Sequence, residues 1–155
     1  MPAPFRSILC PSDLSAASDD AADVAFALAQ KGATVHLLHV SEPAYLASPF
    51  DLTPVVATPP SPDALAALEK KVTEHLKRLV PGEARARGVH AETHVVHDVN
   101  PSAVIQRVAQ QLKADAIVVG THGRSGLSRL VMGSVAADVL KSAKLPVILA
   151  RSARS

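Results

Sequence analysis

The stretch GTHGRSGLSRLVMGS, Gly120 to Ser134, sets four glycines among polar residues between two apolar runs. It follows Ala116-Ile117-Val118-Val119 and leads through Gly133-Ser134 into a second apolar segment, the pattern of a strand passing through a loop into a helix. Glycine opens backbone conformations closed to other residues and lets backbone amides approach a ligand. Gly133-Ser134 adds unpaired N–H groups and a hydroxyl at the positive end of the following helix. These are anion-binding features, with phosphate the natural ligand, and His122 inside the loop is placed to touch it. Arg124 and Arg129 can supply charge, although loop arginines more commonly face solvent. The same residues admit an architectural reading, with Gly120 ending a strand, Gly126 forming a turn and Ser134 capping a helix. No Gly-Lys-Ser/Thr follows, so the loop is not a Walker A, and it lacks the G-x-G-x-x-G of a dinucleotide fold.

Other reactive side chains are sparse. His36, His90 and His94 share a face if their strands pair, because the positions have equal parity. With no convincing further ligand, they read as solvated or core-edge histidines, and no metal is assigned. No lysine lies in the glycine loop and no carboxylate cluster marks a magnesium site for phosphoryl transfer, so no residue is assigned a catalytic role. Cys10, the single cysteine, can form no internal disulfide and reads as a small buried strand residue.

The elements that must position the loop follow from periodicity. Five short apolar runs, Ser7–Cys10, Thr34–Val40, Val89–Val96, Ala116–Gly120 and Pro146–Ala150, alternate with helical segments, which predicts an α/β fold with an open parallel sheet. The first helix is expected over Ala16–Lys31, capped by Ser15, with Asp19 and Asp20 near its positive end and Gly32 as its stop. Its alanines let it lie close to the sheet. The second begins at Ser61-Pro62 and carries Leu65, Leu68, Val72, Leu76 and Leu79 at helical spacing, a stripe that reads as core. The third begins at Asn100-Pro101 with Val104, Ile105, Val108 and Leu112 on one side; the fourth follows Gly133-Ser134 and turns Val135, Val139 and Leu140 inward. The proline-rich connection 41–60 is long for a compact domain and fits a lid or a mobile segment.

At 155 residues the chain suits one domain, spanning 1–155, without internal repeats. No apolar run approaches the ~20 residues that cross a bilayer, and the N-terminal SILC run is too short for a secretory leader, so a cytoplasmic protein is expected. Sixteen basic and fourteen acidic residues are spread along the sequence, and with no Trp, one Tyr and three Phe there is neither a basic surface nor a stacking platform for nucleic acid.

Gly120-x2-Gly123-x9-Gly133-Ser134 resembles the G-x2-G-x9-G-S/T signature of the ATP-binding branch of the universal stress protein family, and ILCPSDLSAAS, VHLLHV and LPVILAR resemble that family's first, second and last strands. The resemblance covers essentially the whole chain. It implies a Rossmann-like sheet ordered 3-2-1-4-5, of the adenine nucleotide alpha hydrolase type, with helices on both faces. It also implies ATP at the switch point between strands one and four, with ADP or AMP as related ligands and magnesium admitted only with ATP, and a homodimer along the last strand. Carried over, it puts Pro11 and Asp13 beside adenine and ribose, the Val40 backbone at the adenine edge, and Gly120, Gly123, Gly133, Ser134 and Val135 around ribose and phosphates. A carboxylate at Asp13 suits ribose hydroxyls, although it could simply support the turn before the first helix. Ala136 departs from the pattern, standing where relatives often carry a second Ser or Thr. The function implied is nucleotide-dependent regulation of a stress response through conformational state and an unidentified protein partner. The alternatives are a slow nucleotide hydrolase and a nucleotide-free interaction module.

Overall fold

In the computed structural model, the residues described are 5–42, 60–121 and 132–151. Ten elements follow in chain order: β1 (Phe5–Pro11), α1 (Ala16–Leu28), β2 (Ala29–Ser41), α2 (Pro62–Arg78), α3 (Gly82–Ala86), β3 (His90–His97), α4 (Pro101–Gln111), β4 (Ala116–Gly120), α5 (Ser134–Ser142) and β5 (Val147–Ala150). The five strands form one parallel sheet in the order β3-β2-β1-β4-β5, as expected.

Strand alternation divides the core in two. Ile8, Cys10, Val35, Leu37 and Val118 point to the face covered by α1 and α2, against Phe26, Val72 and Leu76. Leu9, Leu38, Ile117 and Val119 point to the other face, against Val104 and Ile105 of α4 and Val139 of α5. The chain thus winds β1-α1-β2-α2-β3 over one face and returns through α4 to β4, α5 and β5 on the other. The reversal falls between β1 and β4. Cys10 is fully buried, and desolvation, with the charge of Asp19 adding, pushes its thiol up to about 12, so it is an inert core residue.

Helix starts match their sequence signals. Ser15, Ser61 and Asn100 each accept a bond from a first-turn amide, those of Ser18, Ala64 and Ala103 at 3.3, 3.2 and 3.1 Å. Ala21, Ala22 and Ala25 are wholly buried, which is why α1 lies close to the sheet. The ends differ from expectation. α1 stops at Leu28 rather than Lys31, and Ala29 is already extended. Two steps along β1, Phe5 to Ser7, correspond to five along β2, Ala29 to Thr34, and Gly32 with φ +76° sits inside that irregularity instead of ending the helix.

The short helix α3, which periodicity did not reveal, supplies the reason. Its C-cap residue Arg87 donates to the Phe26 carbonyl at 2.6 Å and the Ala29 carbonyl at 2.9 Å, satisfying the last turn of α1 with a charged fork. The apolar stripes also need correction. Leu68 of α2 is 46% exposed, leaving Val72 and Leu76 as that helix's buried residues. Leu140 and Val135 of α5 are exposed, and its inward residues are Ala136 and Val139. Polar contacts tie α2 to its neighbours, between His75 and Asp19 at 3.0 Å and between His97 and Glu69 at 2.7 Å.

Arg87→Ala is expected to lower the unfolding free energy by about 1–3 kcal/mol in urea denaturation. Arg87→Lys should recover only part, because a point ammonium cannot span both carbonyls. A variant as stable as the parent would mean that this helix end is satisfied without the guanidinium.

Candidate functional site

The topological reversal leaves a gap above β1. The ladder between β1 and β2 runs to the Pro11–Leu38 pair, and one further bond, from the Ser12 N–H to the Leu38 carbonyl at 2.7 Å, closes it. Successive peptide groups of a strand point to opposite sides. Since the Leu38 carbonyl faces β1 and the Ser41 carbonyl accepts the Asp98 N–H from the β3 side at 3.2 Å, the polar groups of Val40 face the side from which β1 has departed. A backbone donor and acceptor are thereby presented at the gap.

The turn from β1 into α1 is tightly held. Leu14 donates its N–H to Ser12 Oγ at 3.1 Å, Ser15 donates to Asp13 Oδ1 at 3.0 Å, and Ser12 Oγ meets Ser18 Oγ at 3.0 Å. Leu14 lies in the left-handed region at φ 66°, a conformation costing a leucine roughly 1–2 kcal/mol. Buried His39 reaches the Ser12 carbonyl from Nδ1 at 2.8 Å; a carbonyl only accepts, so Nδ1 carries the proton. Asp13 therefore does support its turn.

The opposite wall comes from β4 and α5. Gly133 is the N-cap of α5 and offers no side-chain bond to the first turn. Its N–H donates to the Thr121 carbonyl at 2.9 Å, pinning together the two ends of the glycine segment. Gly133 has φ −58° and Ser134 is the first helical residue, so neither left-handed strain at Gly133 nor a cap from Ser134 applies here. Gly120 has a packing role. A Cβ there would lie 3.0 Å from the Ala17 carbonyl oxygen and 3.3 Å from its carbon, so the glycine lets the first turn of α1 seat on the end of β4.

These walls enclose a cleft of about 620 Å³. Pro11, Asp13, Val40, Gly120, Gly133, Ser134 and Val135 all line it; His122, Gly123 and Arg124, with Arg129, lie outside the described residues. Ala136 lines it too while packing in the second core cluster. Sequence reasoning missed Ser12 and His39, whose signal was adjacency to chosen residues, and Leu68 and Ile105, which flank the cleft from α2 and α4. Polar lining comes from the starts of α1 and α5 and from the end of β2, and apolar lining includes Leu38, Val40, Leu68, Ile105 and Val119.

The histidine expectation also changes. His36 contacts His94, with His90 two residues before Glu92 on the same exposed strand, and it is Glu92 that joins the pair. Burial outweighs the Glu92 carboxylate and holds His36 below the ordinary imidazole range. Glu92 could have been found from its parity, midway between His90 and His94.

Residues 4–151 match the model of the Universal stress protein family. A universal stress protein of Methanocaldococcus jannaschii is 32% identical over 150 residues, 95% of this chain and 82% of its own. Among solved structures, a universal stress protein in complex with cAMP superposes with TM-score 0.66 at 21% identity, over 96% of this chain and 98% of that one. The universal stress protein of Archaeoglobus fulgidus in complex with dAMP gives 0.61 at 20% identity, over 96% and 99%.

The seat of α1 on β4 is open to a direct check. Gly120→Ala forces backbone apart and is expected to cost about 1–3 kcal/mol of stability in denaturant unfolding. An unchanged midpoint and slope would show that the helix start has slack that the 3.0 Å approach does not suggest.

Proposed function

The chain belongs to the universal stress protein family, and from that premise we propose that it binds an adenine nucleotide, ATP foremost with ADP or AMP as relatives, in the cleft between β1 and β4. The observation that carries the reading is the convergence of three features on one cleft. These are the Val40 backbone at the strand gap, Asp13 at the start of α1, and the first turn of α5, whose N-cap supplies no side-chain acceptor. The cleft volume lies within the ~300–1,000 Å³ of small-ligand sites. Nucleotide-bound solved relatives, with cAMP and with dAMP, support the ligand class.

The parts divide by chemistry. The apolar lining from Leu38, Val40 and Val119 suits a base, whose edge the Val40 N–H and carbonyl would read. Asp13 would accept from ribose hydroxyls, and the amides of Ser134 to Ala136 would meet phosphate at the positive end of the helix. His122, Gly123, Arg124 and the Ser134 hydroxyl would complete the phosphate contacts, with magnesium arriving only on ATP. Ala136 offers a methyl there, one hydroxyl fewer than a Ser or Thr would give. Bound phosphate, and its loss or slow hydrolysis, would set a conformational state that a cytoplasmic partner reads. The β5 edge, last in the sheet and apolar in sequence, supports a homodimer along that strand. A packing role also accounts for Gly120, and that observation favours the second reading, a nucleotide-free interaction module.

Calorimetry with ATP, ADP, AMP, cyclic nucleotides and GTP should give one adenine-nucleotide site per chain. Gly133→Val, which puts a branched side chain beside the proposed phosphate, should weaken binding at least tenfold, about 1.4 kcal/mol. It should also cost some stability, because valine is a poor N-cap. Undiminished affinity in the folded variant would remove the phosphate role, and the absence of any heat at high protein concentration would leave the interaction module.

A further inference from the structure

None of His36, Glu92 and His94 lines the cleft; β2 and β3 set His36 opposite Glu92 and cleft-lining Leu38 opposite His94. Positions 36, 92 and 94 project from the same sheet face, the one that carries Leu38 into the second core cluster. Their donor atoms converge: His36 Nδ1 lies 3.2 Å from His94 Nε2 and 3.3 Å from Glu92 Oε2, and His94 Nε2 lies 3.8 Å from the same oxygen. The His36 side chain is 8% exposed, that of His94 28% and that of Glu92 56%, so the meeting point is walled on the protein side and reachable from solvent past the carboxylate.

At such a point no arrangement of two neutral imidazoles and a carboxylate gives each of the three pairs its own hydrogen bond. Each ring nitrogen carries either a proton or a lone pair, and the carboxylate only accepts. If both rings donate to Glu92, their N–H groups face each other at 3.2 Å; if His36 Nδ1 accepts from His94, its lone pair faces the carboxylate. One cation at the centre accepts from all three. The spacing suits it: ligand bonds of ~2.0–2.1 Å in a tetrahedral site put donor atoms about 3.3 Å apart. The three residues also sit on paired strands, so the backbone fixes their relative positions before any ion arrives.

We propose that His36, Glu92 and His94 form a binding site for one borderline divalent metal ion, zinc foremost, with a fourth coordination position open to water. The donor set selects the ion. Two imidazoles and one carboxylate, without thiolate, favour zinc and its first-row neighbours over magnesium or calcium, which prefer all-oxygen shells. The site is thus chemically separate from magnesium brought by a nucleotide. Because β3 is the outer strand of the sheet, an ion held across β2 and β3 would fasten that edge to its neighbour.

The test uses the full, tag-free chain without nucleotide, stripped by chelator and titrated with Zn²⁺ by calorimetry and with Co²⁺ by visible absorption. The expected result is one equivalent of either ion, the intense d–d bands of low-symmetry cobalt, a zinc-dependent rise in thermal midpoint, and no displacement by excess magnesium. Glu92→Gln and His94→Ala, both at partly exposed positions, should each weaken binding at least tenfold while retaining the parent's circular dichroism. His97→Ala, which removes an imidazole paired with Glu69 elsewhere on β3, should leave it intact. No saturable uptake would overturn the proposal, as would uptake insensitive to Glu92→Gln and His94→Ala, or uptake lost in His97→Ala.

Discussion

The bond from the Ser12 N–H to the Leu38 carbonyl, at 2.7 Å, is the last rung between β1 and β2. Beyond it the chain must turn out of the sheet into α1 while β2 runs on to Ser41. A parallel sheet wound in both directions has to part at the reversal, and here it parts beside β1. The divergence exposes the Val40 backbone, brings the start of α1 within reach of it, and leaves α5 to close the other side. A single such bond contributes only about 1 kcal/mol net. Its structural weight comes from the groups gathered on Ser12, whose carbonyl accepts from His39 and whose hydroxyl accepts from Leu14 and meets Ser18.

That constraint accounts for two local oddities. Leu14 takes a left-handed conformation because the chain must change direction within a few residues of the sheet's end, and the Ser12 and Asp13 side chains hold the amides on either side of it. Gly120 ends β4 where the first turn of α1 presses on it. Cleft and core are therefore one construction. The backbone that would meet a ligand is fixed by the packing of α1 on one face and of Ala136 and Val139 on the other.

Much of this was legible in the sequence because it rests on local chemistry. Ser15, Ser61 and Asn100 announce helices by capping, and apolar runs such as Ala116–Gly120 announce strands by composition. The strand order came from resemblance to a family, since no local signal states which strands are neighbours. What was not legible depends on partners distant in sequence. The end of α1 is set by Arg87, some sixty residues on, so Gly32 looked like a helix stop although its positive φ belongs to a strand irregularity. Leu68 and Leu140 continue apolar spacings, yet whether a helix face is covered is decided by the neighbouring layer. Gly133 has an ordinary φ of −58°, so its glycine matters there for the side chain it omits. Glu92 was passed over because a carboxylate on an edge strand ordinarily faces water, and only register brings it to His36.

The central claim is that the gap at Val40 and the first turn of α5 act together as one nucleotide site. Backbone amide NMR of the full chain during titration with ATP tests it most directly. The account predicts saturable shifts, with one common affinity, at the amides of Val40 and of Ser134 to Ala136. Resonances of the outer helix surfaces should stay still. Saturable binding that leaves those amides unmoved, or moves the two groups with different affinities, would contradict it.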